Sequence, residues 1–96
     1  MDLRIQAIHF DASEKLESFI EKKADKLARR FADITTFDVA LKVVKPETAM
    51  NKNVVVKLGV PSQSDLVADK TADTFEEAFD LALEALERQL SRKKDK

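Results

Sequence analysis

The hydrophobic periodicity of this 96-residue chain predicts an α+β two-layer sandwich, β-α-β-β-β-α, with a four-stranded sheet and two helices on one of its faces. Two stretches repeat apolar residues at three- and four-residue spacing, four others alternate apolar and polar side chains, and Pro46 and Pro61 fall only between such stretches. Strands with a single apolar face need a single cover, and two amphipathic helices supply it.

Leu3, Ile5 and Ala7 alternate with Arg4 and Gln6, the period-two pattern of a half-buried strand over residues 2–9. Asp11 and Ser13 then offer capping oxygens. Leu16, Phe19, Ile20, Ala24, Leu27 and Phe31 follow at helical spacing with no Gly or Pro between them, predicting an amphipathic helix over 13–31. Residues 34–44 are rich in β-branched side chains and set Phe37, Val39, Leu41 and Val43 on one face against Asp38, Ala40 and Lys42 on the other. Pro46 ends that strand, and residues 47–53, polar apart from Ala49 and Met50, read as a loop. Val54, Val56, Leu58 and Val60 resume the alternation, residues 61–65 are turn chemistry, and 66–72 form a weaker fourth strand, so that three consecutive strands make a meander. Thr74 and Glu77 have capping-box spacing, and Phe75, Ala78, Phe79, Ala82, Leu86 and Leu90 continue as one apolar face of a helix reaching Ser91 or beyond.

A composition of 44% hydrophobic and 36% charged residues is globular, and one core accounts for the whole length, so residues 1–96 are expected to form a single domain. No run approaches the length of a membrane span, and the chain opens Met1-Asp2-Leu3-Arg4 with no apolar leader, from which a cytoplasmic location is expected. The absence of cysteine removes disulfides, thiolate nucleophiles and zinc–cysteine sites. His9 stands alone at the end of the first strand, where a packing or strand-edge role is the ordinary one, so no catalysis is expected. Asp65, Asp69 and Asp73 recur every four residues on a strand and turn, outside any calcium-loop pattern, and read as solvated edge residues. With Gly59 the only glycine, no glycine-rich loop can cradle a phosphate, and neither a cofactor nor a small-molecule substrate is implied.

The formal net charge is −1, yet ten of the 17 Lys and Arg residues lie in two nine-residue windows, 22–30 and 88–96, which contain only Asp25 and Asp95 as acids. Around the first helix, with Leu16 at zero, Glu14, Glu17, Glu21 and Asp25 fall at about 100° to 180° and Lys15, Lys22, Lys26 and Arg29 at about 220° to 280°. Around the last, with Phe79 at zero, Glu76, Asp80, Glu84 and Glu87 fall at about 60° to 140° and Arg88, Arg92 and Lys96 at about 180° to 260°. A charged helix surface is ordinarily just solvated, and the trend of acids early and bases late also complements the helix dipole. However, Glu17/Glu21, Glu21/Asp25, Lys22/Lys26 and Lys26/Arg30 are like-charge pairs at i,i+4, each costing roughly 0.2–0.5 kcal/mol, with Asp25/Arg29 the main exception. That self-repulsion points to an outside anion.

A polyanion suits side-chain cations better than a small phosphate ligand does. Tyr and Trp are absent and the six Phe belong to apolar faces or adjoin them, so shape and phosphate recognition of structured RNA is expected rather than base stacking. The element order also has the outline of a double-stranded RNA-binding domain, with an extra leading strand and without its glycine-containing basic loop.

These residues also carry a resemblance. Leu3-x-Ile5, Ser13-Glu14-x-Leu16, Phe19-Ile20, Lys23-x-x-Lys26-Leu27, Phe31-x-x-Ile34 and Val39-x-Leu41-Lys42-Val43 are similar to the N-terminal half of the short ribosome hibernation promoting factors, also known as ribosome-associated inhibitors or sigma-54 modulation proteins. Ala68-x-x-x-Ala72-Asp73-Thr74-Phe75-x-x-Ala78-Phe79-Asp80, then Leu86-x-Arg88-Gln89-Leu90-x-Arg92-x-Lys94, resemble that family's last strand and helix. The resemblance covers the chain end to end. It implies a β-α-β-β-β-α fold and a factor that sits in the mRNA channel of the small ribosomal subunit, over the aminoacyl and peptidyl tRNA positions, excluding mRNA and tRNA in slow growth. It implies rRNA contacts from Lys23 and Lys26 on the first helix, with Arg29 and Arg30 nearby, and from Arg88, Arg92 and Lys94 on the last, with Lys93 beside them; the basic flank adds Lys22 to the expected rRNA-binding residues. It further implies a monomer off the ribosome, without the C-terminal dimerisation domain of long members. Ala85 departs from the pattern, standing where family members commonly carry lysine.

A different class of function, a protein-interaction module whose polarised helices meet an acidic partner, fits the same charge pattern. Co-sedimentation with ribosomal subunits separates the two.

Overall fold

The computed structural model describes residues 1–45, 49–61 and 64–94, with the side chains of Lys93 and Lys94 outside the described set. Pro46 and the Ser62-Gln63 part of the turn therefore lie outside it, as does Lys96. The elements follow the predicted order: β1 (Asp2–Ala7), α1 (Glu14–Arg30), β2 (Thr36–Val43), β3 (Lys52–Gly59), β4 (Leu66–Ala72) and α2 (Phe75–Lys94).

The four strands form one mixed sheet in the order β1-β2-β3-β4. β1 runs parallel to β2, placing Leu3 opposite Phe37 and Ile5 opposite Val39, which the helical crossover through α1 permits. β2, β3 and β4 are antiparallel neighbours, with Leu41 opposite Val54 and Val56 opposite Ala68. Alternation gathers Phe37, Val39 and Leu41 with Val54, Val56 and Leu58 on the covered face, all essentially inaccessible to water. Both helices add to the same core, α1 through Ile20, Ala24 and Leu27 and α2 through Phe79, Ala82 and Leu86. The other sheet face is polar, and Arg4 and Asp38 (3.9 Å) and Lys57 and Asp65 (3.4 Å) form exposed ion pairs there.

The helix starts obey local chemistry. Ser13 caps α1, its Oγ accepting from the Leu16 N–H at 3.1 Å, and Thr74 Oγ1 accepts from the Glu77 N–H at 3.1 Å. α1 stops where the Phe31 N–H makes the last helical bond, to Leu27 O at 3.0 Å.

Three strand boundaries shift by two residues from expectation. β1 stops at Ala7 rather than residue 9: the Ile8 N–H still reaches Leu41 O, but His9 adopts a left-handed backbone (φ 67) and is exposed in the turn, so it is no strand residue. The turn delivers Phe10 onto the ring of Phe75, with centroids 5.2 Å apart. β3 starts at Lys52, two residues early, because Lys52 and Asn53 pair with Val43 and Lys42. Asn53 spends its polarity on the open face, donating from Nδ2 to Asp69 Oδ1 (2.7 Å) and Thr71 Oγ1 (3.1 Å). β2 begins at Thr36 rather than Ile34, which instead buries its side chain in the core.

Candidate nucleic-acid interface

α2 packs over β3 and β4, whereas α1 lies toward β1, which sets the two helices side by side. Phe79 is the joint: its ring meets Phe19 of α1 edge-on (centroids 6.3 Å) and Phe37 of β2 (6.4 Å). Lys23 Nζ lies 3.3 Å from Asp80 Oδ1, and the Arg30 guanidinium bonds the Glu87 carboxylate. Both ion pairs join residues 57 positions apart, so the helices run in the same direction and in register. Parallel packing brings the cation-rich C-terminal ends of α1 and α2 to one end of the molecule. α2 continues seven residues past Glu87 to Lys94, about 10 Å at 1.5 Å per residue, and so outruns α1 by two turns.

Between the helices lies a cleft of about 390 Å³ floored by Leu27 and Leu83. One wall is Lys23, Lys26 and Arg30 from α1; the other is Asp80, Glu84 and Glu87 from α2. Because the two helices segregate charge with the same hand, the basic flank of one faces the acidic flank of the other, and the acidic row of α2 separates the α1 cations from Arg88 and Arg92. The basic residues share an end of the molecule without merging into one uninterrupted patch.

The predicted contact residues therefore divide into groups. Lys23 and Arg30 are engaged by α2, and each also lies against a neighbouring ring, Lys23 Nζ 5.3 Å from the Phe19 centroid and Arg30 Cζ 5.3 Å from that of Phe31. Arg29 pairs with Asp25 at 2.8 Å and Arg88 with Glu84 at 4.0 Å, both exposed i,i+4 contacts of the weak kind. Lys22, Lys26 and Arg92 are exposed and, among the described residues, pair with no carboxylate. Lys93 and Lys94 occupy the last turn of α2. Ala85 is half-buried against the core, one turn before Arg88.

Asp80, Glu84 and Glu87 belong to the site as much as the cations do, and no residue-type argument singled them out. The signal was present in the helical projection: Lys23 and Arg30 border the apolar stripe of α1 seven residues apart, and Asp80 and Glu87 border that of α2 at the same interval.

The remaining acids have local uses. Asp65 pairs with Lys57, Asp69 accepts from Asn53, and Asp73 Oδ1 accepts from the Met50 N–H at 2.8 Å, where Met50 turns with φ 55. Among the described residues no three His, Asp or Glu side chains are placed to hold a metal ion, and no helix is long and apolar enough to cross a membrane.

Residues 3–96 match the family model of the sigma 54 modulation protein / S30EA ribosomal protein. The chain is 29% identical over 96 residues to a ribosome hibernation promoting factor of Azotobacter vinelandii, covering all of this chain and 85% of that one. A solved ribosomal subunit interface protein from Coxiella burnetii superimposes with a TM-score of 0.87 at 25% identity, over 100% of both chains. The N-terminal domain of Thermus thermophilus Protein Y shares the fold, with a TM-score of 0.77 at 18% identity over 96% of this chain and 98% of that one. With the sequence model spanning nearly every residue and the same sheet order and helix placement underlying it, this chain belongs to the sigma 54 modulation protein / S30EA ribosomal protein family.

Proposed function

We propose that this protein is a ribosome-associated factor that keeps idle ribosomes inactive by occupying a site on them, without catalysing a reaction. The observation that carries the reading is the parallel run of α1 and α2, which brings Lys26 and Arg29 in the second half of α1 toward the same end as Arg88 and Arg92, with Lys22 midway along α1 and Lys93 and Lys94 in the last turn of α2. A polar end of this kind suits the phosphate backbone of a folded RNA, which side-chain cations meet without reading bases. The names of its relatives, a hibernation promoting factor and a ribosomal subunit interface protein, support the same partner. In its finer form, the protein docks on small-subunit rRNA in the mRNA channel and excludes mRNA and tRNA sterically, in the cytoplasm and in slow growth. Residues 1–96 then work as one ribosome-binding unit, monomeric off the ribosome.

Sedimentation tests it. In low-salt sucrose gradients the protein should travel with the small subunit and leave it as KCl is raised. If six to eight cations meet phosphates, the log–log salt slope is roughly −4 to −7. Lys26→Glu combined with Arg88→Glu and Arg92→Glu should abolish co-sedimentation while leaving the circular dichroism unchanged. Wild-type protein that stays at the top of the gradient would instead favour a module that binds another protein.

A further inference from the structure

The cleft between the helices holds carboxylates where an RNA-binding surface would want phosphates. We infer that Asp80 and Glu87 act as internal stand-ins for phosphate, holding Lys23 and Arg30 until RNA displaces them, and so set how tightly and how reversibly the protein binds. The inference deepens the ribosome-binding reading and rests on it.

Three features of the cleft support it. Each pair is a cross-helix contact between partly exposed groups, Lys23 and Asp80 at 44% and 45% side-chain exposure, Arg30 and Glu87 at 58% and 36%. Ion pairs this wet are weak, so exchanging a carboxylate for a phosphate needs no rearrangement of the core. Next, the rings of Phe19 and Phe31 hold Lys23 and Arg30 in place independently of the carboxylates, so the cations stay at the cleft once the acids release them. Finally, Lys26, which pairs with no carboxylate among the described residues, lies on the same wall, so release of its neighbours leaves three α1 cations beside one another. The carboxylates thus do two things to RNA: they occupy two of its ligands, and with Glu84 they repel its backbone from the cleft.

The discriminating comparison is between acids of the cleft and acids elsewhere on the same helices. Asp80→Asn/Glu87→Gln and Glu17→Gln/Glu21→Gln change net charge equally, but Glu17 and Glu21 lie on the α1 flank turned away from α2. Affinity for purified small subunits, and separately for a plain RNA duplex, is measured for wild type and both variants across a KCl series, with thermal melts confirming the fold. The cleft variant should bind about 3- to 10-fold tighter at low salt, the range set by losing two weak competing pairs. Its log–log salt slope should stay that of wild type, because RNA displaces the carboxylates and the same cations meet phosphate in both complexes. The flank variant should keep the wild-type slope too and show the smaller gain in affinity, since Glu17 and Glu21 hold neither Lys23 nor Arg30. Equal gains from both variants, or a steeper slope in the cleft variant, which would mean that wild-type Lys23 and Arg30 stay on their carboxylates in the complex, overturn the inference. Failure of wild type to bind subunits defeats the ribosome reading instead, and the duplex series still decides whether the carboxylates compete with phosphate.

Discussion

Phe79 joins three elements through one ring, so shrinking it without emptying the space should loosen the helix pair that aligns the cationic ends. Phe79→Leu retains most of the buried hydrocarbon, a kind of swap that costs under about 1.5 kcal/mol. It removes the edge-on contact with Phe19 and the tilted one with Phe37, and aromatic pairs of this geometry contribute about 0.5–1.5 kcal/mol each beyond their area. The expected loss is therefore about 2–3 kcal/mol, against a total of roughly 5–14 kcal/mol for a domain of this length. Urea unfolding followed by circular dichroism measures it, with a lower midpoint at constant m-value as the signature. A double-mutant cycle with Phe19→Leu isolates the interhelix contact and should return about 0.5–1.5 kcal/mol of coupling. A loss below about 0.5 kcal/mol, or strictly additive single mutants, would show that the ring does not tie α1 to α2.

Other expectations follow from single contacts. Gly59→Ala should destabilise by about 1 kcal/mol, since the new Cβ would fall inside contact distance of Thr36 Oγ1 and force that side chain from its rotamer. Adding Thr36→Ala should turn the change into a gain of about 0.4–1 kcal/mol, because alanine restricts the unfolded chain; thermal melts that rank the single mutant above wild type contradict this account. Ser13→Ala should cost about 1 kcal/mol in urea titration through the cap it provides to the Leu16 N–H, and Ser13→Asp should restore it. Ala85→Lys places a cation one turn before Arg88 and should steepen the salt slope of subunit binding by roughly 0.7–0.9; an unchanged slope means that this shoulder of α2 does not meet RNA.

The elements were legible because their periodicity is clean. Leu16 to Phe31 and Phe75 to Leu90 keep helical spacing without interruption, and every strand residue assigned to the core face by alternation in β2 and β3, from Phe37 to Leu58, is buried except Val43, which is half-buried. The missed start of β3 shows where polarity misleads. Lys52 and Asn53 read as loop because they are hydrophilic, yet a sheet covered on one side offers water the other, and their partners on β2 lie 9 and 11 residues away in sequence, with Asn53 also reaching Thr71 on β4 18 residues on. His9 was misplaced for the opposite reason: nothing in its neighbours announces a left-handed turn at a residue other than glycine. For the site, each helix showed its charge asymmetry in isolation, but whether two asymmetric helices add or oppose depends on their relative direction. That direction is set by the order of strands beneath them, a long-range property which pairs Lys23 with Asp80 and Arg30 with Glu87.

The two turns by which α2 outruns α1 have a bearing on how this family member can vary. Leu90 is the last buried side chain among the described residues of the helix, and Ser91-Arg92-Lys93-Lys94 after it contain nothing apolar. Exchanging Ser91 or Arg92, both exposed, therefore empties no cavity in the hydrophobic interior, so drift there should leave folding untouched. On the proposed reading, affinity for RNA is then tuned at the tip one residue at a time, with stability held constant by the body behind it.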